Sequence, residues 1–297
     1  MTLRLLDDRQ REHLFLRPPQ RIVSLVPSDT LNLFALGAGE RVVGRTRYCV
    51  EPEGQVDRIP IVGGTKDLHP DEVERLQPDL VLCNQEENAR PGVTELIHRG
   101  LAVWVAFPRT VTEGLGHLAK LALLLGLGGD ARVKDLLRRG YAAVRDAQAA
   151  REAREPLSAF VPVWMDPLMT ISAETFLSDA LSLAGARNVF GDRKRRYPLA
   201  ADLGRGEELP PEQVGERDTR YPRVTLAEVE ARAPQLVLLP DEPHPFSEAD
   251  AAVFRSQSTP AARAGRVRLC GGRDLSWYGA RSVEGLPRLR ALIDSLR

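Results

Sequence analysis

The chain has 297 residues, 43% of them hydrophobic and 28% charged, and its 41 Lys and Arg balance 41 Asp and Glu. That length predicts about two domains with real cores, the apolar content excludes a disordered or fibrous chain, and zero net charge offers no broad surface to nucleic acid or anionic membrane. Cys49, Cys83 and Cys270 lie far apart and form no CxxC, which excludes a disulfide framework and a zinc knuckle.

Residues 3–16 alternate loosely around Asp8-Arg9-Gln10 and predict a hairpin. The same stretch carries Arg4, Asp7, Arg9, Arg11 and Glu12, so it has no apolar segment of the roughly 7–15 residues an export signal needs. The chain therefore shows no export address and on that reading alone would be cytoplasmic, which leaves its compartment open. Residues 21–26 (RIVSLV) predict a short buried strand; Pro27, Ser28 and Asp29 follow, then an apolar helix over 30–36 stopped by Gly37. A second strand over 41–47 leads into a loop through Tyr48, Cys49 and Pro52. Gly63-Gly64-Thr65-Lys66-Asp67 is a loop, 69–77 a helix opened by Pro70, 80–83 a strand, 93–99 a helix ended by Gly100, and 101–107 a strand. Strands alternating with helices at this spacing predict parallel α/β units.

Residues 111–127 predict a helix, and 131–154 one long amphipathic helix, roughly 35 Å at 1.5 Å per residue. A second α/β half then begins at Ala159, with a strand over 160–164, a helix over 175–184 and a polar, irregular stretch over 187–221. A helix over 225–232, a strand over 235–239, and a final helix, strand and helix over 247–255, 266–270 and 282–296 complete it. The most apolar run, 118–127, is broken by Lys120 and falls short of the ~18 residues of a membrane span.

An internal repeat links the halves. At an offset of 156, Glu72-Val73-Glu74 matches Glu228-Val229-Glu230, Pro78 matches Pro234, Leu80-Val81-Leu82 matches Leu236-Val237-Leu238, and Glu86 matches Glu242. Eight identities in fifteen positions favour two similar lobes, with the matched glutamates in equivalent exposed loops after equivalent strands.

Catalytic patterns are absent from the sequence. The five histidines, His13, His69, His98, His117 and His244, form no HExxH and no i, i+4 pair; His98 and His117 read as ordinary surface or partly buried helix residues. Neither a GxSxG elbow nor a GxxxxGK[ST] loop occurs. The expectation is a binding protein, not an enzyme, with no catalytic residues, no metal site and no permanently bound cofactor. In parallel α/β sheets, ligands sit beyond the carboxyl ends of the strands. Those positions hold Pro27, Ser28, Tyr48, Cys49 and Lys66 in the first half, and Trp164, Asp166, Asp274, Trp277, Tyr278 and Arg281 in the second. Trp164 suits either a core or a binding wall, whereas Trp277 and Tyr278, in a polar context beside Gly279, read as exposed. Aromatic walls with a few polar groups suit a large, planar, partly apolar ligand.

The segments 21–52 (RIVSLVPSDTLNLFALGAGERVVGRTRYCVEP), 62–88 (VGGTKDLHPDEVERLQPDLVLCNQEEN) and 238–246 (LLPDEPHPF), with WMDPLMT and SWYGARS, resemble the cobalamin-type, helical-backbone substrate-binding proteins of ABC transporters. The resemblance covers residues 3–296. It implies an α/β class III binding-protein fold: a lobe over 1–128 with a leading hairpin, a rigid connecting helix over 129–156, and a lobe over 157–297. The ligand would be a cobalt- or iron-containing chelate in the interlobe cleft, a corrinoid first, with a ferric siderophore or haem as alternatives. Tyr48 would line one wall with Lys66 below it, Trp164 the other, and Asp274, Trp277 and Arg281 would close the pocket. Glu86 and Glu242, or their neighbours Glu87 and Asp241, would dock on an ABC permease served by its ATPase, with the receptor acting as a monomer. Residues 197–222, bracketed by two Arg-Tyr-Pro triplets, look like an insertion, and the family's usual glutamate in the first helix is replaced around Leu31 and Asn32. A cytoplasmic chelate- or metal-ion-handling protein or enzyme of the same fold, uncoupled from transport, is the alternative reading.

Overall fold

The computed structural model describes residues 3–297, which divide into two units: the chain up to Ala142 with Trp277–Val283, and Ala143–Ser276 with Glu284–Arg297. The first unit opens with the antiparallel hairpin β1 (Leu3–Leu6) and β2 (Glu12–Phe15). β3 (Ile22–Ser24), β4 (Val42–Arg45), β5 (Leu80–Asn84) and β6 (Val103–Ala106) form a parallel sheet in the order β4-β3-β5-β6. Helices α1 (Pro27–Ala35), α2 (Pro70–Arg75), α3 (Arg90–His98) and α4 (Val111–Leu124) accompany it. Successive strand residues point to opposite faces, so Ile22, Leu80, Leu82 and Trp104 fill one core while Val23, Val81, Cys83 and Val105 fill the other. Burial on both faces explains why these strands read as continuous apolar runs.

α5 (Ala131–Glu152) begins in the first unit and ends in the second. There, β7 (Leu157–Phe160) is followed by the antiparallel hairpin β8 (Pro162–Met165) and β9 (Leu168–Thr170), then α6 (Phe176–Leu183) and β10 (Ala186–Asn188). The one-turn helices α7 (Leu199–Asp202) and α8 (Pro211–Val214) precede α9 (Leu226–Arg232), β11 (Leu236–Pro240) and α10 (Glu248–Arg255). The chain ends with α11 (Pro260–Arg263), β12 (Val267–Cys270), α12 (Arg273–Ser276) and α13 (Ala280–Asp294). The second parallel sheet runs β10-β7-β11-β12. Among the described residues, no helix is long and apolar enough to cross a membrane.

Both sheets share one topology: the second parallel strand, then the first, third and fourth. The offset of 156 falls on equivalent elements, since α2 and α9 begin at residues 70 and 226 and β5 and β11 at 80 and 236. Each helix stops at a left-handed residue, Gln77 and Ala233, both with φ of 47°, and a proline follows each, which cannot continue a helix.

Three expectations need correction. The strand expected over 160–164 is two, because β8 leaves the sheet after Val161 to pair with β9. The stretch 187–221 is not irregular throughout: it starts in β10, the edge strand beside β7, and contains α7 and α8. The first helix begins at Pro27 rather than Thr30, with proline at a position whose missing N–H is no loss.

Candidate functional site

In the first unit the candidate residues follow the carboxyl ends of the strands. After β4, the Tyr48 ring is 53% exposed, and the Arg47 guanidinium lies 5.8 Å from its centroid. Arg47 also binds Asp67 through both oxygens, at 2.9 and 2.7 Å, which raises the guanidinium and lowers the Asp67 carboxyl from their ordinary ranges. Gly64 permits this grouping, since a Cβ there would lie 2.2 Å from Asp67 Oδ1 and 2.3 Å from Arg47 Nη1. Lys66 is exposed and donates to the Glu86 carbonyl at 2.7 Å. Glu86, expected exposed, is half-buried and follows β5 in a turn closed by Asn84 Oδ1, which accepts from the Glu86 amide at 2.7 Å.

Beneath this surface lies a buried polar cluster that the sequence did not announce. Asp29, in the first turn of α1, is fully buried. Its Oδ1 contacts His117 Nε2 at 2.7 Å and accepts from Asn32 Nδ2 at 3.1 Å, while its Oδ2 accepts from the Tyr278 hydroxyl at 2.9 Å. Asn32 Oδ1 in turn accepts from the Ala280 amide at 2.8 Å. Gly279, at φ +81°, makes the approach possible, because a Cβ would stand 2.4 Å from Asn32 Oδ1. His117 is therefore a core residue rather than a surface or partly buried one, and Trp277 and Tyr278, expected exposed, are 5% and 3% accessible. Burial, and after it the Asp29 charge, push the Tyr278 phenol well above its usual range, so it stays a donor. Pro27, Ser28 and Cys49 are also buried; the Cys49 sulfur lies 3.2 Å from Thr46 Oγ1, and burial raises its thiol. Arg281 is half-buried against Glu51, at 3.4 Å.

In the second unit, Trp164, next to last in β8, is 44% exposed, and its Nε1 donates to the Asp166 carbonyl at 3.1 Å. The His244 ring meets it edge-on at 5.4 Å between centroids, and Phe246 meets His244 edge-on at 4.6 Å. This file of rings offers an apolar face with an imidazole beside it. His244 was not among the residues expected at the site; its signal was a His and a Phe two positions apart in the loop that follows β11 and carries Glu242. The glutamate itself is half-buried, not exposed: its Oε1 accepts from Ser276 Oγ at 2.9 Å, and its Oε2 lies 3.7 Å from Arg273 Nε. Asp166 is exposed, whereas Asp274 is clasped by Arg288 through two hydrogen bonds of 2.8 Å. Among the described residues, no group of three or more His, Cys, Asp or Glu is placed to hold a metal ion.

Residues 22–236 match the family model described as periplasmic binding protein. A vitamin B12-binding protein of Yersinia pestis (strain Pestoides F) is 26% identical over 180 residues, covering 60% of this chain. The match spans 63% of that curated relative's length. Among solved structures, the periplasmic vitamin B12 binding protein BtuF of Vibrio cholerae superposes with a TM-score of 0.72 at 16% identity, over 94% of this chain and 98% of that one. The periplasmic heme-binding protein RhuT from Roseiflexus sp. RS-1 gives 0.73 at 19% identity, over 94% and 99%. At these identities the structural likeness is one of fold.

Proposed function

Because the chain belongs to the periplasmic binding protein family, we propose that it is a receptor rather than an enzyme, one that binds a metal chelate and delivers it to an ABC import permease and its ATPase. The metal arrives with the cargo, so no permanently bound cofactor is needed. The sequence similarity to a vitamin B12-binding protein favours a corrinoid, and the fold shared with a heme-binding protein keeps haem beside it, with a ferric siderophore third.

The observation that carries this reading is the exposed Trp164 indole backed by His244 and Phe246, in a chain only 5% aromatic. An accessible indole face held rigid by its neighbours suits a flat macrocycle. Tyr48 and Lys66 are the corresponding contacts proposed on the first unit, and Asp166 on the second. Pro27, Ser28, Cys49, Trp277 and Tyr278 are buried and offer no surface to a ligand, while Arg281 and Asp274 are held by their own salt bridges. Glu86 and Glu242, at equivalent positions of the repeat, are the proposed permease contacts.

Calorimetric titration with cyanocobalamin, haem and a ferric siderophore tests the proposal. One chelate is expected to bind saturably, and Trp164→Ala to weaken it about thirtyfold, which corresponds to the ~2 kcal/mol of a central aromatic contact. Replacing Glu86 and Glu242 together by Ala leaves that affinity unchanged and removes stimulation of the permease ATPase. Failure of all three chelates to bind overturns the ligand class; an undiminished affinity in Trp164→Ala overturns the site.

A further inference from the structure

Residues 193–223 of the second unit gather one buried arginine, Arg193, and the half-buried Arg195 and Arg223 around one buried carboxylate. Asp202 is 1% exposed. Its Oδ1 accepts from the Arg196 amide at 2.9 Å and lies 3.1 Å from Arg193 Nη2; its Oδ2 accepts from the Arg223 amide at 2.8 Å and lies 3.8 Å from Arg223 Nη1. Arg193 is fully engaged, since it also donates to the Asp202 and Arg223 carbonyls, at 2.6 and 3.3 Å, and faces Glu228 at 3.7 Å. The other acids nearby are in use: Asp218 is bound by Arg220 at 2.9 and 2.6 Å, Glu208 faces Arg196 at 3.5 Å, and Glu174 faces Lys194 at 2.9 Å.

Arg195 and Arg223 remain. The Nε of each is buried with no hydrogen-bond partner, and Arg195 makes no ion pair with any carboxylate among the described residues. Burial first, and then the neighbouring Arg195 charge, lower the Arg223 guanidinium from its ordinary value. Two like charges with orphaned donors destabilise a fold unless an acceptor joins them. We propose that Arg195 and Arg223 form a binding site for a small tetrahedral oxyanion of the phosphate or sulfate class.

A guanidinium presents its N–H groups as a planar fork matched to the oxygens of such an anion. Tyr197 is the cover: its ring lies 4.8 Å from the Arg195 guanidinium and 5.4 Å from that of Arg217, with its hydroxyl on the Asp218 carbonyl at 2.8 Å. Both guanidiniums keep some exposure, so a small anion reaches them from solvent. The site adjoins the hairpin that bears Trp164, because Met169 of β9 bridges Arg223 and the Thr170 amide donates to the Pro222 carbonyl at 3.0 Å. It is nonetheless separate from the proposed chelate contacts and does not depend on them.

The test is thermal unfolding of the full chain in rising inorganic phosphate, with chloride adjusted to hold ionic strength constant. The midpoint is expected to climb saturably, as for any ligand bound only by the folded state. Arg195→Gln should weaken phosphate at least tenfold, while Lys194→Gln, on the exposed neighbour, should leave the response intact. Without phosphate, Arg195→Gln should be at least as stable as the parent chain, whereas loss of an arginine with a purely structural role would lower the midpoint. A parent chain that shows no saturable rise, or a rise that persists in Arg195→Gln, overturns the site. Phosphorus NMR gives a second measurement that needs no variant: broadening of the phosphate line by the parent chain, relieved by sulfate, is expected, and its absence counts against the proposal.

Discussion

Tyr278 keeps its proton at a pH where an exposed phenol has lost it, because burial and the adjacent Asp29 carboxylate both disfavour the phenolate. A folded value raised above that of the unfolded chain means that this contribution to stability is complete below about pH 10 and declines as the pH rises past it. Tyr278→Phe removes the hydroxyl that Asp29 accepts. It should cost about 1.5–3 kcal/mol in urea unfolding at neutral pH, the range for a hydrogen bond to a charged group, and should flatten the loss of stability above pH 10. An unchanged midpoint at pH 7 would show that Asp29 is satisfied without it. None of this was legible locally, because Tyr278 and Asp29 are 249 positions apart in the chain. A tyrosine flanked by Trp and Gly in a polar stretch looks like a binding loop until its partners are known. Trp164 posed the opposite problem: it ends an apolar run and is nonetheless left half outside, because β8 turns away from the sheet.

At the scale of elements, the alternation of apolar runs and helical spacing was enough to place most strands and helices within a few residues. The pattern failed where a strand is an edge: β10 has buried Ala186 but exposed Arg187, so its polarity matched a loop. The N-terminal hairpin shows how a short element is secured. The Asp7 carboxylate accepts from the amides of Arg9 and Arg11, both at 2.9 Å, and from the Val105 amide of β6 at 3.2 Å, while Asp8 accepts from Phe107 N at 2.8 Å and Lys120 Nζ at 2.9 Å. Burial alone would raise the Asp7 carboxyl, but hydrogen bonds from His13 and the amides of Arg11 and Val105 outweigh it and hold the group below its usual range. This contribution is therefore present above about pH 4, the value in the unfolded chain, and is lost as the pH falls through the lower folded value. Amide exchange at Val105 is expected to accelerate in that window. Asp7→Ala should show the fast exchange already at pH 7, and slow exchange in that variant would mean that Asp8 suffices to hold the hairpin.

For the whole molecule, the repeat was readable because two central strands and the helices before them kept their apolar residues at one offset. The place of Trp277–Val283 in the first unit was not, since the residues it meets there, Asp29 and Asn32, lie 249 and 248 positions before their partners in the chain. The chain thus passes between the units three times, at Ala142, Ser276 and Val283. A fragment of residues 1–142 would leave Asp29 and Asn32 without these partners, and is expected to show lost near-ultraviolet dichroism and weakened exchange protection. A fragment as well protected as the intact chain would contradict the division. The same threading governs biosynthesis. The 134 residues from 143 to 276 lie between the two parts of the first unit, and at roughly 5–20 residues per second they occupy a ribosome for on the order of ten seconds. The half that is translated first therefore waits, with a buried carboxylate still lacking its phenol, for almost the last residues of the chain to emerge.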